Sequence, residues 1–266
     1  MTPVTVQEGE GPLILGMPHT GTALPDKLLA RLNDRGRLLA DTDWHIDRLY
    51  DGLVPSATIV RATFHRYVID ANRDPSGASL YPGQNTTGLC PEIDFDGHPI
   101  WRPGEAAKPA EIAERLATFH IPYHKALADQ IERVHARYGI AVLYDCHSIR
   151  SHIPFLFDGV LPDFNIGTNK GTTCGSVFEE VAVAVCEAAE GYTTVLNGRF
   201  KGGWTTRHYG RPKTGRHAIQ MELAQATHLE SESPPFAYSS DRAARLRRPL
   251  QALLLRIERL ALDRAS

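Results

Sequence analysis

Long apolar runs are missing from this sequence. No window of the 266 residues reaches 18 consecutive apolar side chains, the length a membrane-spanning helix needs. Cysteine is sparse: Cys90, Cys146, Cys174 and Cys186 are the only four, and no pair has C-x-x-C spacing. That is too few and too scattered for a disulfide framework, so reduced thiols are expected. Neither sign of charge is in excess. The 29 Lys+Arg stand against 31 Asp+Glu, a net charge of −2, which supplies no basic field for nucleic acid or an anionic membrane. The opening stretch MTPVTVQEGEGPLILG has no charged segment followed by a long apolar one. A cytoplasmic location is therefore expected. Internal repeats, low-complexity linkers and close-spaced zinc motifs such as H-E-x-x-H are also absent.

What is present is ordinary globular composition, 42% hydrophobic and 23% charged. The length suits one large α/β domain spanning 1–266, with enough chain to bury a core without staples. Twelve histidines are more than an average chain carries, and they favour a metal site.

Short apolar runs alternate with helical patterns. PLILGM (12–17) reads as a strand ending at Pro18-His19, and PDKLLARLND (25–34) as a short helix. DWHIDRLYDGLV (43–54) puts Ile46, Leu49, Tyr50 and Leu53 on one helical face. ATIVRAT and RYVIDAN look β-like, and a turn-rich segment with DPSG, YPGQNTTG and DGHP follows. Helix is expected from about 109 to 137, with Pro122 at a kink or fresh start. IAVLY reads as a buried strand. PFLF, FNIG and TTVLN are read as short strands around the helix SVFEEVAVAVCEAAE, and HAIQMEL (217–223) as a strand with Ala218, Gln220 and Glu222 on one face. A helix from roughly 240 to 263 carries Leu246, Leu250, Leu253, Leu254 and Ile257, and is expected to pack on its own domain. The order predicts a layered α/β fold with a mixed, mostly parallel sheet flanked by helices.

In such sheets ligands sit beyond the carboxyl ends of strands. Those ends carry Pro18-His19, Asp70-Ala71-Asn72-Arg73, Asp145-Cys146-His147-Ser148 and Met221-Glu222. A catalytic zinc takes three protein ligands and leaves a fourth position for water. His19 and His147 occupy matching positions, and the helix start DTDWHID offers Asp41, Asp43 and Asp47 as the carboxylate. Asp43 and Asp47 have the i, i+4 spacing of one face, and Asp41 or Thr42 can instead cap the helix. Glu222, flanked by apolar residues, suits a general base with a raised pKa, against the plainer role of an arginine partner. Arginine forks bind carboxylates. Arg66 and Arg73 in FHRYVIDANRDP, and Arg199, Lys201 and Arg207 in NGRFKGGWTTRHYGRP, suit an anionic substrate, while Arg211, Lys213 and Arg216 read as a solvated loop. Adjacent strand residues point to opposite faces. With His147 toward the cleft, Cys146 faces the core and is not the nucleophile, and Asp145 remains to orient an imidazole. His120 and His124 read as surface or packing residues.

The segments MPHTGTALP, LADTDWHIDRLYD, RYVIDANRDP, LYPGQNTTGLCP, YDCHSIRS, GRFKGGWTTRHYGRP and HAIQMELAQ, in this order, resemble the N-formylglutamate amidohydrolases, also called N-formylglutamate deformylases. The resemblance runs from about Leu13 to Gln225. It implies a three-layer, zinc-carboxypeptidase-like (phosphorylase/hydrolase-like) α/β fold and one divalent metal, zinc. The implied reaction is hydrolysis of N-formyl-L-glutamate to formate and L-glutamate in histidine degradation, with a metal-bound water as nucleophile. It places His19, Asp43 and His147 as metal ligands, with His45 or Asp47 as alternatives to Asp43, and Glu222 as general base. It places Arg73 at the substrate, with Asn72, Arg66, Arg199 and Arg207 available beside it. The implied partner is a small anionic N-acyl amino acid. A related N-formyl or N-formimino substrate such as an aspartate derivative, and an inactive amino-acid-binding relative, are the alternatives. His65 stands where many deformylases have tyrosine or serine, and is read as altering the rim.

Overall fold

The computed structural model describes residues 1–79 and 83–265. The Tyr81-Pro82 part of the turn-rich segment lies outside the described residues. In chain order the elements are β1 (Val4–Gln7), β2 (Leu13–Met17), α1 (Asp26–Leu29), α2 (Ile46–Tyr50), β3 (Thr58–Ala62), α3 (Pro109–Arg115), α4 (Ile121–Tyr138), β4 (Ala141–Ile149), β5 (Phe164–Gly167), α5 (Ser176–Glu187), β6 (Thr194–Leu196), α6 (Trp204–Tyr209), β7 (Arg216–Ala224) and α7 (Ser240–Ala265). The strands form one seven-stranded sheet in the order β1-β3-β2-β4-β7-β5-β6. β2 pairs in parallel with β3 and β4, β4 with β7, and β5 with β6, while β1 and β5 run antiparallel to β3 and β7. The mixed, mostly parallel sheet expected from the sequence is the one observed.

Strand alternation divides the core between two faces. Val142, Tyr144 and Cys146 of β4 join Ile46 and Leu49 of α2, Phe178 of α5 and the leucines of α7 in one buried cluster. Ala141 and Leu143 join Leu28 of α1 and Tyr123, Leu127, Ile131 and Val134 of α4 in the other. Leu246, Leu250, Leu253, Leu254 and Ile257 are all 0% exposed, so α7 covers its own sheet. At roughly 1.5–3 kcal/mol for each fully buried large apolar side chain, that stripe anchors the helix.

Several local expectations need correction. RYVIDAN is a succession of turns, not a strand. Its apolar side chains are fully buried, but the carbonyls of Tyr67 and Val68 accept hydrogen bonds from the Arg115 guanidinium instead of a neighbouring strand. PFLF is likewise a turn, closed by Leu156 N–H and Phe157 N–H on the Ile153 carbonyl. It belongs to a small separate apolar cluster with Phe95, Ile149 and Leu161. The helix expected over 25–34 shrinks to α1. That over 43–54 shrinks to α2, because His45 lies in the left-handed region at φ 59°. β1 was not foreseen: its residues are partly or fully exposed, so burial leaves little imprint on its sequence. Helix does run from Pro109 to Tyr138, through a π-helical stretch at Leu116–His120 and with Pro122 harmlessly in the first turn of α4.

Candidate active site

His19 follows β2 by two residues, and its carbonyl accepts the Asp43 N–H at 3.0 Å. That bond ties the 41–45 loop to the strand end. The left-handed turn at His45 then separates Asp43 from α2, so the helical face imagined for Asp43 and Asp47 does not exist. Asp47 pairs with Arg61. His45 turns away, its Nε2 donating to the Phe236 carbonyl at 2.9 Å. Asp41 accepts from Tyr67 Oη (2.9 Å) and Phe95 N–H (3.0 Å), and burial pushes its pKa up to about 7. Asp43 is the carboxylate that meets the two histidines.

β4 and β7 supply the rest. Their register sets Asp145 opposite Gln220 and His147 opposite Glu222, so all four side chains share the face away from Cys146 and Met221. Nδ1 of His147 lies 3.1 Å and Nδ1 of His19 lies 3.7 Å from the same Asp43 oxygen, Oδ2. The ring centroids are 5.0 Å apart. All three residues are at most 2% exposed, and their ligand atoms lie within 4.8 Å of one another. This group can hold a metal ion. Nδ1 of His19 is buried and, among the described residues, has no hydrogen-bond partner, as an atom reserved for a cation would be.

Carboxylates stand behind both rings, an arrangement that fixes imidazoles for metal binding. Nε2 of His19 donates to Asp70 Oδ1 at 2.7 Å, and Nε2 of His147 is 3.2 Å from Asp145 Oδ1. Thr206 Oγ1 donates to the other Asp145 oxygen at 3.1 Å. Burial opposes ionisation of Asp43, but its hydrogen bond with His147 and the neighbouring His19 ring outweigh it and hold the carboxyl below its ordinary range. Burial likewise opposes charge on His147, and Asp145 and Asp43 override it, so the ring favours binding a positive species. Asp70 is held far down against its burial by Arg66, Arg73 and His19. Glu222 goes the other way. Burial pushes its pKa up to about 8, with the nearby Asp43 and Asp145 carboxylates adding to the shift and His147 and Arg66 opposing it.

The cleft over this group is lined by Arg66, Asn72, Arg73, Phe95, Arg199, Phe200 and Gly203 as well as His19, His147 and Glu222. Arg66 is paired with Asp70 Oδ2 at 2.6 Å, its guanidinium 4.6 Å above the Phe95 ring. Arg73 donates to the Thr87 carbonyl and hydroxyl at 2.9 and 3.0 Å. Arg199 donates to the carbonyls of Leu156 and Asn85 at 2.9 and 3.1 Å, joining two loops across the cleft. Nδ2 of Asn72 lies 3.2 Å from His147 Nε2, and its Oδ1 accepts the Thr205 N–H at 2.9 Å. Arg207 is not brought to this cleft. It donates to the Gly202 carbonyl at 2.9 Å and lines another depression beside Asn169 and Lys213. A roomier depression of ≈ 570 Å³ against α7 contains none of these groups, so volume does not mark the site.

His65 is not on a rim. It is fully buried, accepting the Tyr67 N–H at 3.1 Å and donating to Thr42 Oγ1 at 3.0 Å. His120 and His124 are packing residues, but buried ones. They donate to the carbonyls of Arg73 (3.1 Å) and Ala71 (2.7 Å) and so hold the 71–73 loop under the cleft. Sequence reasoning did not single out Asp70 or Gln220. Both had a signal: Asp70 opens the strand-end set with Asn72 and Arg73, and Gln220 shares the polar face with Glu222.

A metal-capable His–Asp–His group at the carboxyl ends of a mostly parallel sheet, with a buried glutamate on the next strand, is a constellation suited to hydrolysis on a mixed α/β fold. The chain belongs to the N-formylglutamate amidohydrolase family, whose model matches residues 11–229. It is 48% identical over 252 residues to the N-formylglutamate deformylase of Pseudomonas aeruginosa, covering 94% of each chain. It is 46% identical over 256 residues to the enzyme of the same name from Pseudomonas putida, covering 94% of this chain and 95% of that one. The crystal structure of N-formylglutamate amidohydrolase from Ralstonia eutropha JMP134 superposes with a TM-score of 0.82 at 28% identity over 100% of both chains. A protein from Agrobacterium tumefaciens shares the fold, with a TM-score of 0.74 at 20% identity over 97% and 95% of the two chains.

Proposed function

We propose that the protein hydrolyses N-formyl-L-glutamate to formate and L-glutamate, as one catalytic domain over 1–266, within histidine degradation in the cytoplasm. The observation that carries this reading is the convergence of His19, Asp43 and His147 beside Glu222, in a chain 48% identical to a protein named for that deformylation. The three residues would hold one divalent ion, zinc by its preference for histidine and carboxylate donors. Such an ion would supply Lewis-acid activation of water and of the formyl carbonyl.

The chain's own groups then have defined work. Glu222 takes a proton from the attacking water and delivers it to the departing glutamate nitrogen. Its raised pKa keeps that carboxyl able to exchange protons near neutral pH. Arg73 and Arg199 line the cleft and meet the substrate carboxylates, with Asn72 beside them. Arg66, bound to Asp70, adds positive potential to the same wall. Arg207 acts through the loop it braces at Gly202. Phe95 and Phe200 bound the cleft on its apolar side and crowd any acyl group larger than formyl. Packing of this kind is worth only ~1–3 kcal/mol per methylene, so selectivity over acetyl is finite.

Formate release from a panel of N-formyl, N-formimino and N-acetyl derivatives of glutamate and aspartate tests this reading. N-formylglutamate is expected to have the highest kcat/KM, and a flat response across the panel counts against it.

A further inference from the structure

Gln220 is 3% exposed and lies two residues before Glu222 on the same face of β7. An amide side chain can be turned either way, but this one has no choice. Its Oε1 accepts the Gly203 N–H at 2.6 Å, which only an oxygen can do. Its Nε2 is thereby aimed at Glu222, and donates to Oε2 at 3.1 Å. Glu222 is buried, and no other hydrogen bond to its side chain is recorded among the described residues.

The far end of this connection is equally constrained. Gly202 adopts φ 105°, which side chains rarely tolerate. A Cβ on Gly203 would come within 2.3 Å of the Asn72 amide nitrogen. The turn therefore fits tightly against Asn72, whose Oδ1 in turn accepts the Thr205 N–H. Gly203 itself lines the cleft. One glutamine thus joins a wall of the cleft to the carboxylate beneath it.

We infer that Gln220 is a positioning residue for the reaction: its amide, locked by the Gly203 N–H, fixes the Glu222 carboxylate in the orientation from which it takes the water proton. The inference rests on Glu222 being the base proposed above. Gln220 also lines the cleft, but among the described residues it makes no hydrogen bond to His19, Asp43 or His147, and in this scheme it does not touch the reacting atoms. Its contribution passes through Glu222. Outer partners of this kind typically contribute 10–100-fold to activity.

The test is a double-substitution cycle on the full-length, metal-loaded protein with N-formyl-L-glutamate, using Gln220→Met, Glu222→Gln and the pair. Gln220→Met alone is expected to lower kcat by about 10–100-fold while retaining metal content. In the Glu222→Gln background, whose own kcat falls by about 10²–10⁴-fold, adding Gln220→Met is expected to change kcat by less than about threefold. An equal fold-loss in both backgrounds overturns positioning and leaves Glu222 as base. Wild-type turnover by Glu222→Gln removes the base itself, and this inference with it. Unchanged kcat in Gln220→Met also overturns the inference. If Gln220→Met does not fold by circular dichroism, Gln220→Asn, which keeps the amide one methylene short, goes through the same cycle with the same criteria.

Discussion

Asp70 Oδ1 accepts the His19 Nε2 proton at 2.7 Å, on the opposite side of the ring from Asp43. The contact fixes both the tautomer and the ring plane, leaving Nδ1 as the free donor atom. Asp70→Asn keeps the shape and loses the charge. It is expected to weaken metal affinity by about 10–100-fold, measured by competition with a chromogenic chelator. A melting curve separates this from loss of fold, since Arg66 also loses its partner. Unaltered affinity would show that Asp70 does not act on the metal group through His19.

Removal of the metal is expected to abolish formate release. A metal-free preparation should regain activity on addition of one equivalent of zinc. Full turnover in protein shown by elemental analysis to carry no divalent ion would end the proposed mechanism.

Arg73 is expected to act on binding more than on chemistry. A charged hydrogen bond contributes ~1.5–3 kcal/mol, so Arg73→Ala should raise KM for N-formylglutamate on the order of 10–100-fold with metal content unchanged. Steady-state kinetics on N-formylglutamate and an uncharged N-formyl amine decide it. An equal penalty on both substrates would mean that Arg73 only supports its loop.

His217 supplies a stability prediction remote from the chemistry. Its Nδ1 accepts the Gly175 N–H at 3.0 Å, which requires the unprotonated atom. Burial, with Arg264 assisting, lowers its pKa from 6.5 to about 4. The unfolded chain therefore binds this proton first as pH falls. The stabilisation is complete above about pH 6.5 and is lost progressively toward pH 4. The melting temperature should fall across that window, less steeply in His217→Gln. Parallel curves for the two proteins would exclude His217 as a contributor.

Much of this architecture could be read from the chain, and the failures share a cause. Strand ends following fully buried runs pointed to His19, His147 and Glu222, because a strand buried on both faces reads in sequence as a short, nearly continuous apolar run. RYVIDAN misled because burial and strand pairing are different things. Its side chains are inside while its carbonyls turn to Arg115, forty-odd positions away, which no local pattern encodes. His65 misled for the same reason, since a polar ring with two internal partners looks like a surface residue in sequence. Asp43 could not be separated from Asp47 because the left-handed turn at His45 is invisible to helical periodicity.

The pairing of His147 with Glu222 across β4 and β7 has an evolutionary corollary. A single-residue insertion within either strand would reverse the facing of every position beyond it, turning His147 or Glu222 into the apolar layer. Strand length is thus frozen, whereas the irregular segments that bring Phe95, Arg199 and Phe200 to the cleft can lengthen or drift. New acyl preferences in descendants of this scaffold should arise by rewriting those segments over an unaltered pair of rungs.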